Sequence, residues 1–186
     1  MAAGIVTSDI FEPYAKALMS LAQSHDLVDR IGEDAATVLE ALDNSDELVQ
    51  FLGSPLVNED GKKAVLRQVF AETLHPYSLN FLMILVDRNR ATYTFGIFNQ
   101  YQILLRELKG VVLAEVVSAV GLSEDQANLV RQRVLEMTGA SGVELESTVD
   151  SDLLGGVIIK VGSQVIDASL RSQIRRLSLQ LSSVVV

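Results

Sequence analysis

Apolar positions through the first 109 residues recur at spacings of three and four, the period of helices that each bury one side. The first run sets Phe11, Tyr14, Ala15, Leu18 and Ala22 on one face, predicting a helix from Ser8 or Asp9 to about Ser24 with Pro13 in its first turn. Ile10, Ala17, Met19 and Leu21 widen the apolar arc to roughly half the circumference, beyond the ~100° that contact with one core needs. Such an arc suits either a helix central to a bundle or one wall of a groove for a partner's helix. A second helix, capped by Asp26, carries Leu27, Ile31, Ala35, Val38 and Leu42. A short third, opened by Asn44 with Glu47 as a capping box, holds Leu48, Val49 and Leu52 until Gly53-Ser54-Pro55. Asn58 opens a fourth, with Val65, Leu66, Val69 and Phe70 inward and Lys62, Lys63 and Arg67 outward. Beyond His75-Pro76, Leu79 to Val86 is apolar on most sides and closes at Asp87-Arg88-Asn89-Arg90. The sixth, from Thr92 to Lys109, carries Phe95, Phe98, Tyr101, Leu105 and Leu108 and stops at Gly110.

After Gly110 the period changes. Val111 to Val117 is rich in β-branched residues and reads as a strand. Ser123 with Gln126 forms a capping box for a helix bearing Ala127, Val130, Val134 and Met137, ended by Gly139-Ala140-Ser141-Gly142. Val143, Leu145, Ser147 and Val149 alternate with Glu144, Glu146 and Thr148, a strand with one wet face. Gly155 and Gly156 lead into Val157 to Val161. The pair Gly162-Ser163 then signals a two-residue hairpin to a strand from Gln164 to Ile166. Asp167 or Ser169 can cap a last helix with the stripe Leu170, Ile174, Leu177 and Leu181 and with Arg171, Arg175 and Arg176 opposite. Val184-Val185-Val186 is expected to be a loose tail. The predicted architecture is α+β: an N-terminal six-helix bundle over 1–109, then a small C-terminal α/β domain over 110–186 with a mixed sheet and two helices packed on it.

Composition narrows the function classes. At 48% apolar residues a core is affordable, and a net charge of −9, from 24 acids against 15 bases, argues against nucleic acid, whose binding needs clustered cations. With no cysteine, disulfides and thiolate metal sites are excluded. No apolar run approaches the ~18 residues of a membrane span, and Met1 to Asp9 resembles neither a secretion signal nor a transit segment, so membrane association is expected only through partners.

Candidate chemistry is sparse. His25 and His75, the two histidines, sit at helix junctions away from any nucleophile pattern and read as structural. Asp150 and Asp152 lack the further oxygen ligands of a calcium loop and read as a solvated turn. Gly155-Gly156 precedes a strand, whereas glycine loops that bind anions aim helix N-terminal amides, so a packing role is expected. Arg171, Arg175 and Arg176 are either a solvated face or an attraction for an acidic partner helix. Neither an acid/base pair, a triad nor a metal cage is apparent, so the chain reads as non-catalytic and without a cofactor.

The ordered set Gly155-Gly156, apolar strand, Gly162, Asp167, Ser169 and Arg171 resembles the C-terminal signature of the delta subunit family of F-type ATP synthases, called the oligomycin-sensitivity-conferring protein in mitochondria. Pro13-Tyr14-Ala15-Lys16-Ala17-Leu18 is similar to that family's first helix, Asn80-Phe81-Leu82 with Leu85 and Asn89-Arg90 to its fifth, and Leu113-Ala114-Glu115-Val116 with Ser118-Ala119 to its first strand. The likeness is to the cyanobacterial and chloroplast branch. It implies a peripheral-stalk connector, with Tyr14, Ala17, Leu18, Leu21, Phe81, Leu82 and Leu85 receiving the N-terminal segment of the α subunit. Leu170, Arg171, Ile174 and Arg175 would meet the b and b′ stalk subunits. It further implies a place on the cytoplasmic or stromal face of a thylakoid or plasma membrane. A free-standing helix-binding adaptor and a small α/β enzyme using the Gly155-Gly156 turn remain the alternatives.

Overall fold

The helical period of the N-terminal half is realised as α1 (Ala3–Ser24), α2 (Val28–Asp43), α3 (Asp46–Gly53), α4 (Glu59–Phe70), α5 (Pro76–Asp87) and α6 (Thr94–Lys109), with a 3-10 turn over Ala91–Tyr93. The computed structural model describes residues 3–183, and side chains over 10–176; Leu177, Leu181 and the Val184-Val185-Val186 tail therefore lie outside the described side chains or residues. The chain divides into two units, Met1–Leu105 and Arg106–Val186.

The first unit is organised around α6. Ile97, Phe98 and Tyr101 are fully buried, and α1, α2 and α5 contribute Ala15, Leu18, Ile31, Ala35, Leu82 and Leu85 to the same cluster. Each large side chain so buried contributes about 1.5 to 3 kcal/mol, which short helices need because an isolated helix under ~12 residues is marginal in water. Two glycines allow close approach. A Cβ at Gly96 would stand 2.3 Å from the Phe11 ring, and one at Gly32 would stand 2.6 Å from the Leu105 side chain.

Several local expectations shift. α1 begins at Ala3, with Pro13 inside it, because residues 3–7 carry no stop signal and one proline removes only one ladder bond. Asp26 does not cap α2; it closes α1. With φ of 57° it is left-handed, and Leu27 N–H donates to the Ala22 carbonyl at 2.8 Å, a Schellman closure. Asn89, φ 54°, ends α5 the same way through Arg90 N–H to the Leu85 carbonyl at 2.7 Å. α3 is capped one residue later than expected, by Ser45, whose Oγ accepts from Leu48 N–H. Val69, Phe95, Leu108 and Met137, read as inward, are exposed: on α6 the core side is taken by Ile97 and Phe98, and Phe95 falls outside it.

The second unit holds β1 (Val111–Ser118), α7 (Glu124–Thr138), β2 (Gly142–Val149), β3 (Val157–Val161), β4 (Gln164–Asp167) and α8 (Leu170–Ser183). The sheet order is β2-β1-β3-β4, with β1 and β2 parallel and the other pairs antiparallel. The mixed sheet and flanking helices match the α+β class read from the sequence. A parallel pair requires a crossover, and α7, opened by the Ser123/Gln126 capping box, supplies it. Val130 and Val134 of α7 are buried with Ala114, Val116 and Ile159.

The expected α8 stripe departs from this pattern, since Leu170 and Ile174 are 45% and 56% exposed. Among the described side chains, those at the start of α8 anchor it. A Cβ at Gly156, φ 82°, would fall 2.4 Å from the Ala168 carbonyl oxygen, and Leu170 N–H donates to the Gly155 carbonyl at 3.0 Å. The double glycine thus lets backbone lie on backbone.

Gly156→Ala should destabilise the chain by about 3 kcal/mol in urea unfolding, combining left-handed strain with the overpacking clash. Gly162→Ala, at φ 57° with nothing within 4 Å of its Cβ, should cost only about 1 kcal/mol. Equal losses would show that the backbone contact at Gly156 is unimportant.

Candidate helix-binding surfaces

On the bundle, α1 and α5 each carry an apolar stripe that the core does not fully use. Along α1, Ile10, Tyr14 and Leu21 are half-buried and Ala17 is exposed; along α5, Tyr77 and Phe81 are half-buried and Ile84 is 50% exposed. Leu18, Leu82 and Leu85, expected in the same surface, are at most 1% exposed. They fix the two helices to the core, and the half-exposed residues beside them supply the apolar surface.

Phe11, in the first half of α1, lies against Gly96 of α6 and 5.9 Å from the ring of Tyr93, just beyond the end of α5, whereas Phe81 of α5 meets Phe98 of α6 edge-on at 5.9 Å. At the far end of α1, His25 lies 4.8 Å from the Tyr77 ring at the start of α5. α1 and α5 therefore run antiparallel, both supported by α6, with Tyr14, Ala17, Leu21 and Phe81 between the ends.

The start of α5 is fixed by a carboxylate that periodicity did not single out. Asp34 of α2 is 1% exposed. Its Oδ2 accepts from His75 N–H at 2.9 Å and from Ser78 Oγ–H at 2.5 Å, and Arg30 Nη2 stands 3.3 Å from its Oδ1. A carboxylate at a helix N-terminus is favoured by the unpaired N–H groups there. His75 completes the cap, its Nδ1 accepting from Tyr77 N–H at 3.3 Å. The signal was available: Asp34 sits within the stripe of Ile31, Ala35 and Val38, where a charged residue calls for a partner. Burial, with Asp29 and Asp34 nearby, pushes the Tyr101 hydroxyl up to about 12, and that hydroxyl donates to the Val28 carbonyl at 3.2 Å.

On the second unit, Leu170, Arg171, Ile174 and Arg175 all lie exposed on the first turns of α8. Ser169, 2% exposed, caps the helix by accepting from Ser172 N–H at 3.3 Å. Asp167 Oδ1 accepts from Ser169 N–H at 2.9 Å, and its Oδ2 takes the Ser172 hydroxyl. Both residues offered as alternative caps therefore act together. Arg176 donates to the Asp167 carbonyl at 3.0 Å; among the described residues no ion pair holds Arg171 or Arg175. Hydrogen bonds from the Ser169 side chain, then from Ser172 and the Ser169 backbone, hold the Asp167 carboxyl down at about 2.

No group of His, Asp or Glu among the described residues is placed to hold a metal, and no described helix is long and apolar enough to cross a membrane. Asp150 Oδ1 accepts from Asp152 N–H at 2.9 Å, which makes that pair a turn.

The sequence profile of the family described as ATP synthase delta (OSCP) subunit matches residues 10–181. The chain belongs to this family. It is similar to the ATP synthase subunit delta of a Synechococcus species, 53% identical over 180 residues covering 97% of this chain and 98% of that protein. With the subunit of Synechococcus elongatus it shares 54% over 177 residues, 95% and 98% of the two chains. A chain in the Toxoplasma gondii mitochondrial ATP synthase hexamer shares the fold, with a TM-score of 0.72 at 24% identity over 91% of this chain and 96% of that one. As a delta-family protein it is a non-catalytic component of the peripheral stalk, the stator of F-type ATP synthase.

Two measurements check these sites. Asp34→Ala should cost about 3 kcal/mol in urea unfolding by leaving Arg30, Ser78 and the His75 N–H without their acceptor; a loss below ~1 kcal/mol would contradict the buried network. Because the folded Asp167 carboxyl lies below its ordinary 3.8, its contribution is present above about pH 4 and lost as pH falls through about 2. A carbon-13 carboxyl titration should place its midpoint at about 2, and a midpoint at its ordinary value would show the cap to be absent in solution.

Proposed function

We propose that the α1–α5 groove receives the N-terminal helical segment of the α subunit, and that Leu170, Arg171, Ile174 and Arg175 on α8 meet the b and b′ stalk subunits. On this reading residues 1–109 form the head-binding domain and 110–186 the stalk-binding domain. The observation that carries it is the pair of half-exposed apolar stripes, Tyr14, Ala17 and Leu21 on one wall and Phe81 on the other, above buried Leu18, Leu82 and Leu85. Apolar residues at helical spacing on two walls suit an amphipathic helix laid into a groove. Small, exposed Ala17 lets a partner backbone come close.

The mechanism is mechanical. Rotation of the central shaft puts torque on the catalytic head, and the head must be held still for that torque to change its nucleotide sites. A connector for this task needs affinity and stiffness at both attachments. The chain supplies helices whose ends are fixed by caps, Schellman closures and a buried carboxylate, so little ordering is left to occur on binding. Membrane association then comes from the assembled complex, on the cytoplasmic or stromal face of the energy-transducing membrane.

Ala17→Glu should weaken binding of a synthetic α-subunit N-terminal helix more than about tenfold, since a carboxylate would be buried without a partner, while thermal unfolding changes little. Unchanged affinity would rule out this face. Replacing Arg171 and Arg175 together with Glu should weaken capture of the b subunits and spare the α-peptide. Co-purification of the chain without α or β subunits would favour a free-standing adaptor.

A further inference from the structure

We infer that His25 and Tyr77 close one end of the α1–α5 groove and fix how far a bound helix can enter it; the inference rests on the reading of that groove as the α-subunit site. The stripe Ile10, Tyr14, Ala17 and Leu21 reaches His25 four residues on, and the α5 stripe of Ile84 and Phe81 runs back to Tyr77. Because α1 and α5 are antiparallel, these two termini coincide. The rings lie 4.8 Å apart at 33°, joining the end of α1 to the start of α5. At the opposite end Phe11 turns onto Gly96 and Tyr93, and no aromatic pair joins α1 to α5 there among the described residues.

The pair reaches the surface: His25 is exposed, and half-buried Tyr77 packs against the core from outside. Tyr77 is nonetheless held in place. Its N–H is bound by His75 Nδ1, the His75 ring lies 5.3 Å from its own, and His75 N–H is bound by buried Asp34. A wall supported in this way resists displacement by an incoming helix.

Its chemistry also suits a helix terminus. The last turn of any helix leaves backbone groups unpaired, and an imidazole and a phenol can meet them as donor or acceptor. A partner helix that ends at the wall has those groups satisfied. One that continues must unwind its last turn or lose contact along the groove. The pair is thus a determinant of register for the bound segment, beyond the apolar affinity that the stripes supply.

The test uses the full chain and three synthetic peptides of the α-subunit N-terminal segment: the segment itself, the segment with one alanine-rich helical turn added at its N-terminus, and the same turn added at its C-terminus. The wild type should bind one of the extended peptides about tenfold more weakly than the core peptide, the loss of roughly one apolar contact, and the other equally well. His25→Ala and Tyr77→Leu, checked by thermal unfolding, should remove that discrimination, so that each variant binds both extended peptides as it binds the core peptide. Equal binding of all three by the wild type would overturn the end wall and leave the groove reading standing. An equal weakening of all three in the variants would also overturn it, since a merely structural pair acts that way. Failure of the wild type to bind the core peptide would overturn the groove reading and this inference with it.

Discussion

A carboxylate removed from water must have its charge met, and Asp34 meets it with the His75 N–H, the Ser78 hydroxyl and the Arg30 guanidinium. Two of those three donors belong to the first turn of α5. That turn can therefore sit only where α2 presents the carboxylate, and the rest of the groove follows from it. Tyr77 lies within the same turn, Phe81 one turn further along, and Leu82 and Leu85 drive the helix into the core beneath. Arg30 also donates to the Thr73 carbonyl at 2.7 Å, tying down the linker that leads into α5.

The second unit fixes a helix by different means. There the start of α8 is held by backbone contact at Gly156 and by Asp167, Ser169 and Ser172, a group that is polar and largely exposed. On the first turns of α8, Leu170 and Ile174 are only partly buried, at 45% and 56% exposed. A helix start held in this way, with apolar residues and two arginines that no ion pair holds among the described residues, has surface to spare for another chain.

These arrangements suit a force-transmitting subunit better than a catalyst. Catalysis requires groups whose protonation is poised for transfer in a cleft. Among the described residues, the displaced groups are Tyr101, locked in the core, and Asp167, a helix cap. What the fold supplies is firm helix ends and incompletely buried apolar stripes, the properties of a part that docks and holds.

Much of this was legible in the chain. Helix and strand periods are set by which neighbouring residues are apolar, and capping depends on side chains within three residues, so the Ser123/Gln126 box, the Gly162-Ser163 hairpin and the α+β order could be read directly. The family signature was equally local. The sequence alone could not say which half of an over-wide apolar arc faces inward. Phe95 and Val69 look like core residues until Ile97, Phe98 and Leu66 occupy the available space. Nor could it pair Asp34 with residues 41 and 44 positions away, or bring His25 onto Tyr77. Local periodicity fixes which side of a helix can be buried, whereas the choice among candidate faces is a competition for one finite core, decided only when all six helices are packed together.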